Sequence, residues 1–232
     1  MFFSKDIFIL AFIVVTLFIN SIYSEDITVK NEEELINALN QEKDSIIKII
    51  GKIIITEKIT VNSSNSKNNK SITVIGDIST KPSIDLTNYI IFENCLNVTI
   101  KDIMLYGDLK FNNNRKISIE NSVLNCTVDA TSTNTNSTIE INNSNIFCKD
   151  INNSESCLKI LNYHTVIHNS NIKGNIVPYK RIIGVSGNNR YLNITNSIIN
   201  GNNYNQAISI EKGLINIKNS DFINCANYLE NG

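Results

Sequence analysis

The sequence predicts an all-β solenoid: a parallel β-helix of about seven or eight coils with a short N-terminal capping helix. Three observations carry this. One phrase recurs along the chain, as KISIENSVLNC, TIEINNSNIFC, TVIHNSNIKG, YLNITNSIING and LINIKNSDFIN. Within each copy apolar residues alternate with polar ones, the period of a strand with one buried face. No helical periodicity runs between the copies.

The alternation falls into register. With the Asn before Ser as position zero, the copies align at Asn121, Asn143, Asn169, Asn196 and Asn219, and NVTIKDIMLYG adds Asp102. Successive zeros are 19, 22, 26, 27 and 23 residues apart. Two before zero stands Ile every time: Ile100, Ile119, Ile141, Ile167, Ile194 and Ile217. Three after zero stand Leu105, Leu124, Ile146, Ile172, Ile199 and Phe222. If each copy is one coil stacked about 4.8 Å from the next, like residues form columns. Isoleucines then fill the interior. Asn121, Asn143, Asn169, Asn196 and Asn219 are expected to form an amide ladder at the bend. A leucine-rich repeat would need recurrent Leu at its own spacing and a helical back segment, and neither is present.

The pattern continues upstream in SITVIGD (Ile72, Val74, Gly76) and IIKIIGK (Ile47, Ile49, Gly51). Before it, NEEELINALNQEK predicts a helix. Asn31 is an N-cap with Glu34 at capping-box spacing, and Leu35, Ala38 and Leu39 make an apolar stripe. Such a helix would cover the open edge of the first coil. The expected organisation is a signal peptide over 1–24, a cap over 25–44 and the β-helix over 45–232. The last coil is expected to be open, because only thirteen residues follow Asn219. That end is a candidate surface for self-association.

The opening MFFSKDIFILAFIVVTLFINSIYSED has Lys5, an apolar run from Ile7 to Ile19 and a small residue at Ser24. This is the pattern of a secretory signal, since the run is shorter than the roughly 20 residues of a membrane-spanning helix. Secretion makes the Asn-x-Ser/Thr sequons candidate glycan sites: Asn62, Asn97, Asn125, Asn136, Asn142, Asn152 and Asn193. A formal charge of −1 supplies no field to draw nucleic acid or anionic lipid.

Taken in order, EELINALN, IIKIIGKIIITEKITV, SITVIGD and NVTIKDIML resemble the opening of pectate-lyase-like right-handed β-helix proteins, over about Ile27 to Tyr106. The resemblance implies a right-handed coil. It also implies polysaccharide cleavage by clustered Asp, calcium and an Arg base near an R-x-P-x-x-R phrase. Here VPYKR offers Pro178 and Arg181, but Ile176 stands where the first Arg belongs and no Asp pair flanks it. The related hydrolases use paired Asp, Gly-His-Gly and Arg-Ile-Lys, all absent from this chain. No catalytic residue carries over, and no metal or cofactor is expected.

From the residues alone, Glu120 and Glu140 would be diagonal neighbours on one face, a separation at which two carboxylates can hydrolyse a glycoside. Lys101 would stack on Glu120, which makes a surface ion pair the simpler reading. His164 and His168 lack the companions of a zinc set and read as surface residues. Of five cysteines, Cys126 and Cys148 fall five after zero in consecutive coils, so they are the candidate disulfide. Gly107, Gly174 and Gly201 share that position, and a column of small residues at a tight bend is the favoured alternative. Two functions stay open. One is a secreted non-catalytic glycoprotein that binds polysaccharide or another extracellular protein. The other is a degenerate or truncated lyase or glycoside hydrolase.

Overall fold

The computed structural model describes residues 25–63, 69–149, 156–177 and 180–226. The expected signal peptide, Asn152, Pro178 and residues 227–232 lie outside the described residues. The described chain is all-β apart from the α-helix Glu32–Leu39 and one 3-10 turn, Ile78–Thr80. Twenty strands form one open sheet in which the pairings are parallel.

The strands fall into three lines. The first holds Glu25–Val29, Ser45–Ile49, Ser71–Gly76, Asn97–Lys101, Lys116–Glu120, Thr138–Asn142 and His164–His168, then the second halves of Arg181–Thr195 and Gln206–Lys218. The second holds Lys52–Ile55, the first parts of Ser83–Glu93 and Met104–Asn112, then Val123–Cys126, Asn145–Cys148, Asn171–Lys173, Ile198–Asn200 and Asp221–Ile223. The third holds Ile59–Asn62, the remainders of Ser83–Glu93 and Met104–Asn112, Val128–Thr131, Ser156–Leu161, and the first halves of the two long strands. The chain visits the lines in order and returns to the first. Each turn of chain therefore bonds to the turn before it and the turn after, an arrangement compatible with the predicted β-helix.

The register matches the columns read from the sequence. Ile100, Ile119, Ile141, Ile167, Ile194 and Ile217 pair in succession, as do Leu105, Leu124, Ile146, Ile172, Ile199 and Phe222. The middle members are wholly buried, whereas Ile217, in the last described turn, is 43% exposed. One continuous apolar core runs inside the three lines.

Six residues, with the 3-10 turn, separate Gly76 from Ser83, but from Lys101 onward the bend between the first and second lines has a constant length of two residues, and here the expected ladder takes another form. Asn121, Asn143, Asn169, Asn196 and Asn219 do recur at this bend, with φ of 48°, 50°, 47°, 50° and 51°. Their side chains face out, exposed. Asn tolerates this left-handed conformation because its short polar side chain can bond locally. The conformation turns the next residue, Ser, inward, and serine makes the bonds along the axis. The backbone N–H groups of Ser122, Ser144, Ser170 and Ser197 donate to the Oγ atoms of Ser144 (3.2 Å), Ser170 (3.1 Å), Ser197 (3.1 Å) and Ser220 (3.1 Å). Each hydroxyl in turn donates to the carbonyl two residues earlier, as Ser170 does to His168 at 2.8 Å. The other two bends vary in length. One residue separates Cys126 from Val128, but seven separate Cys148 from Ser156.

The helix forms as its caps dictate. Asn31 Oδ1 accepts from the Glu34 N–H at 2.9 Å, and Glu34 Oε2 accepts from the Lys30 N–H at 2.7 Å. Leu35, Ala38 and Leu39 are buried in the common core.

The cysteines pair differently from the sequence candidate. Cys126 and Cys148 do stack in register, but the disulfide joins Cys148 to Cys157 across the variable second bend, with Cα atoms 5.3 Å apart. Cys126 remains a free thiol, wholly buried. Its burial disfavours the thiolate that disulfide exchange requires.

Candidate functional site

The outward positions of the second line build the most site-like feature. Lys52, Ser83 and Met104 form one outward column, and Ile54, Asp85 and Tyr106 form the next. Five of these six residues, all but Ile54, line an open groove together with Lys81 from the end of the 3-10 turn: Lys52, Lys81, Ser83, Asp85, Met104 and Tyr106, with a volume of about 330 Å³. Lys81 reaches the groove from a left-handed residue (φ 53°) that ends the 3-10 turn. Lys52 Nζ lies 2.5 Å from Asp85 Oδ2, while Asp85 Oδ1 is buried and has no hydrogen-bond partner among the described residues. Tyr106 and Met104 are each 39% exposed. A ring with a hydroxyl beside a carboxylate and ammonium groups can hold a polyhydroxylated ligand by stacking and hydrogen bonding.

A larger hollow, about 670 Å³, opens at the last described turn. It is lined by core positions such as Ile208, Ile210, Ile215, Ile217 and Phe222. It lacks the convergent polar groups that fix a small ligand's orientation.

Glu120 and Glu140 lie diagonally on neighbouring strands, Glu120 opposite Asn142 and Glu140 opposite Ser118. Each faces a lysine: Glu140 Oε2 is 3.0 Å from Lys116 Nζ, and Glu120 Oε2 is 4.0 Å from Lys101 Nζ. Ser118 Oγ also donates to Glu120 Oε1 at 2.7 Å. His168 Nδ1 is 2.7 Å from Thr195 Oγ1. His164 stacks on Tyr191 with ring centres 4.3 Å apart, and its Nε2 lies 3.3 Å from Arg190 Nη1. Burial, then the Arg190 charge, lowers the His164 pKa. Among the described residues no group of three or more His, Cys, Asp and Glu is placed to hold a metal ion, and no helix is long and apolar enough to cross a membrane.

The sequons divide by exposure. Asn62, Asn125 and Asn136 are exposed, while Asn97, Asn142 and Asn193 are half-buried. Asn97 Nδ2 donates to Ser71 Oγ at 3.0 Å, and Asn193 Oδ1 accepts from Asn216 Nδ2 at 3.2 Å. The groove escaped sequence reasoning because its residues come from three separate turns. The signal that could have found it was the pair Asp85 and Tyr106, outward at matching positions of SIDLT and MLYGD. Compared with protein-family models, with curated proteins and with solved structures, the chain matches none.

Proposed function

We propose that the chain is a right-handed parallel β-helix that acts outside the cell as a non-catalytic, carbohydrate-binding glycoprotein. Support for the handedness is general, since parallel strands joined by crossovers in one sheet are right-handed in about 98% of cases. The likeness of its opening phrases to pectate-lyase-like proteins points the same way. The observation that carries the function is the groove beside Tyr106. An exposed ring, a carboxylate and two ammonium groups line one groove across adjacent turns, where an extended sugar chain lying along the axis would meet them. Glu120 and Glu140 each face a lysine, as in a surface ion pair.

A glycan array run beside a lyase assay on polyuronides with calcium tests this reading. Binding that weakens in Tyr106→Ala and Asp85→Asn, with no product formed, supports it. Unsaturated products from polygalacturonate, lost in Arg181→Ala, would replace it with the lyase alternative. Binding to no glycan would remove it.

A second proposal concerns partners. Leu214, Ile215 and Ile217 are exposed at the last described turn, beside an edge of the sheet. Pairing with a second copy there would cover them. Light scattering during size-exclusion chromatography tests this, and a monomer at high concentration removes it.

A further inference from the structure

Asn125 sits in an unusual setting for a polar residue. It lies at the centre of an outward column, opposite Tyr106 on one neighbouring strand and Phe147 on the other. Tyr106 is 39% exposed and Phe147 40%. Asn125 is itself exposed and opens the sequon Asn125-Cys126-Thr127. Aromatic rings this open to water gain from being covered, and the C–H face of a sugar ring is a surface that covers them. Of the two rings, Tyr106 already lines the groove and carries a hydroxyl, whereas the open area of Phe147 is wholly apolar.

We infer that Asn125 carries an N-linked glycan whose first sugar packs on Phe147. The inference rests on the proposal that the chain enters a eukaryotic secretory pathway. The donor is an oligosaccharide linked through diphosphate to a membrane lipid. The Asn125 side-chain nitrogen attacks the first sugar's anomeric carbon. A C–N bond forms, the bond from that carbon to the diphosphate oxygen breaks, the lipid diphosphate leaves and the amide proton passes to a base. In the extended nascent chain the sequon is accessible, so its later place in a strand is no obstacle. Once folded, Asn125 faces out and holds the sugar over the adjacent turn. The glycan then marks one end of the binding face proposed beside Tyr106, since a ligand lying along that column runs into it.

The test uses the full chain secreted from a eukaryotic host, with site-resolved glycopeptide mass spectrometry. The expected result is an occupied Asn125. A bare Asn125 with glycan on Asn136 or Asn62 overturns the inference and leaves secretion standing. Glycan on no sequon overturns both. The packing is tested by Phe147→Ala in the glycosylated protein and after enzymatic release of the glycan, which converts Asn125 to Asp. The variant should lower the unfolding midpoint by about 2–4 °C in the glycosylated form and by clearly less in the released form. Equal shifts, or a glycan-dependent shift for Tyr106→Ala alone, would refute the assignment to Phe147.

Discussion

Lys70 Nζ donates to the carbonyl oxygen of Leu39, the last residue of the helix, at 2.7 Å, and to that of Gln41 at 2.6 Å. The lysine is 4% exposed, and burial lowers its pKa. A cation at a helix C-terminus meets the negative end of the helix dipole and satisfies carbonyls that lack intrahelical partners. The bond thus fastens the helix to the turn of chain that leads into Ser71–Gly76. Lys70→Met keeps the stem and removes the charged donor. It is expected to cost about 1.5–3 kcal/mol in denaturant unfolding. It should also make the helix more sensitive to limited proteolysis than the distal turns.

The isoleucine column gives a prediction with an internal control. Ile167→Ala should cost about 2–5 kcal/mol, the range for truncating a buried aliphatic side chain. Ile217→Ala makes the same chemical change in the same column, but at a position 43% exposed. It should cost markedly less, and equal costs would mean that the last described turn is covered in solution.

At the two-residue bend, the two residues should respond differently. Asn169→Ala places an ordinary residue at a φ of 47°, and should cost up to about 1–2 kcal/mol. Asn169→Gly should restore most of that. Ser170→Ala leaves the N–H of Ser144 without its acceptor, and should cost about 1–3 kcal/mol. Stability measured on the three variants separates a backbone role for Asn from a bonding role for Ser.

The cysteine pairing can be read by peptide mapping without reduction. Trypsin cuts after Lys116, Lys149 and Lys159, which places Cys126 and Cys148 on one peptide and Cys157 on the next. The Cys148–Cys157 bond therefore links two peptides, and Cys126→Ser should leave that link intact. A Cys126–Cys148 bond would be internal to one peptide and would disprove the pairing.

Acid should weaken the fold through His164. Its folded-state pKa is depressed, so the unfolded chain takes up a proton more readily. The contribution is complete above the ordinary value of about 6.5 and is lost as pH falls toward the folded value. His164→Gln should flatten the fall in unfolding midpoint between about pH 7 and 5. An unchanged slope would show that another group sets it.

What the sequence made legible was the part of each turn that repeats residue by residue. The Ile column, the Asn bend and the Asn31–Glu34 cap all follow from local spacing, so each could be placed before any contact was known. The serine ladder was in plain view but belonged to the neighbour of the residue singled out. A left-handed backbone at Asn121 or Asn169 exchanges which side chain points inward, and alternation alone does not report this. Cys157 and Lys70 were harder. Both lie outside the recurring phrase, after segments of variable length, and their partners are fixed by three-dimensional proximity. The groove of Asp85 and Tyr106 was hidden for a related reason, because outward positions carry no hydrophobic signal to align them.

The unequal bends have a consequence for how such a chain can change. From Lys101 onward two residues intervene between the first and second lines, and from Glu120 onward a serine there bonds to its counterpart in the next turn. One inserted residue at that corner would reverse the facing of every side chain up to the next compensating bend. The corner after Thr131 is different: six residues, several of them exposed, lead to Thr138 there, against two between Leu161 and His164. The architecture thus separates a corner that keeps count from corners that do not. New loops, tags or recognition segments can be grafted at the second kind while the stacked strands keep their places.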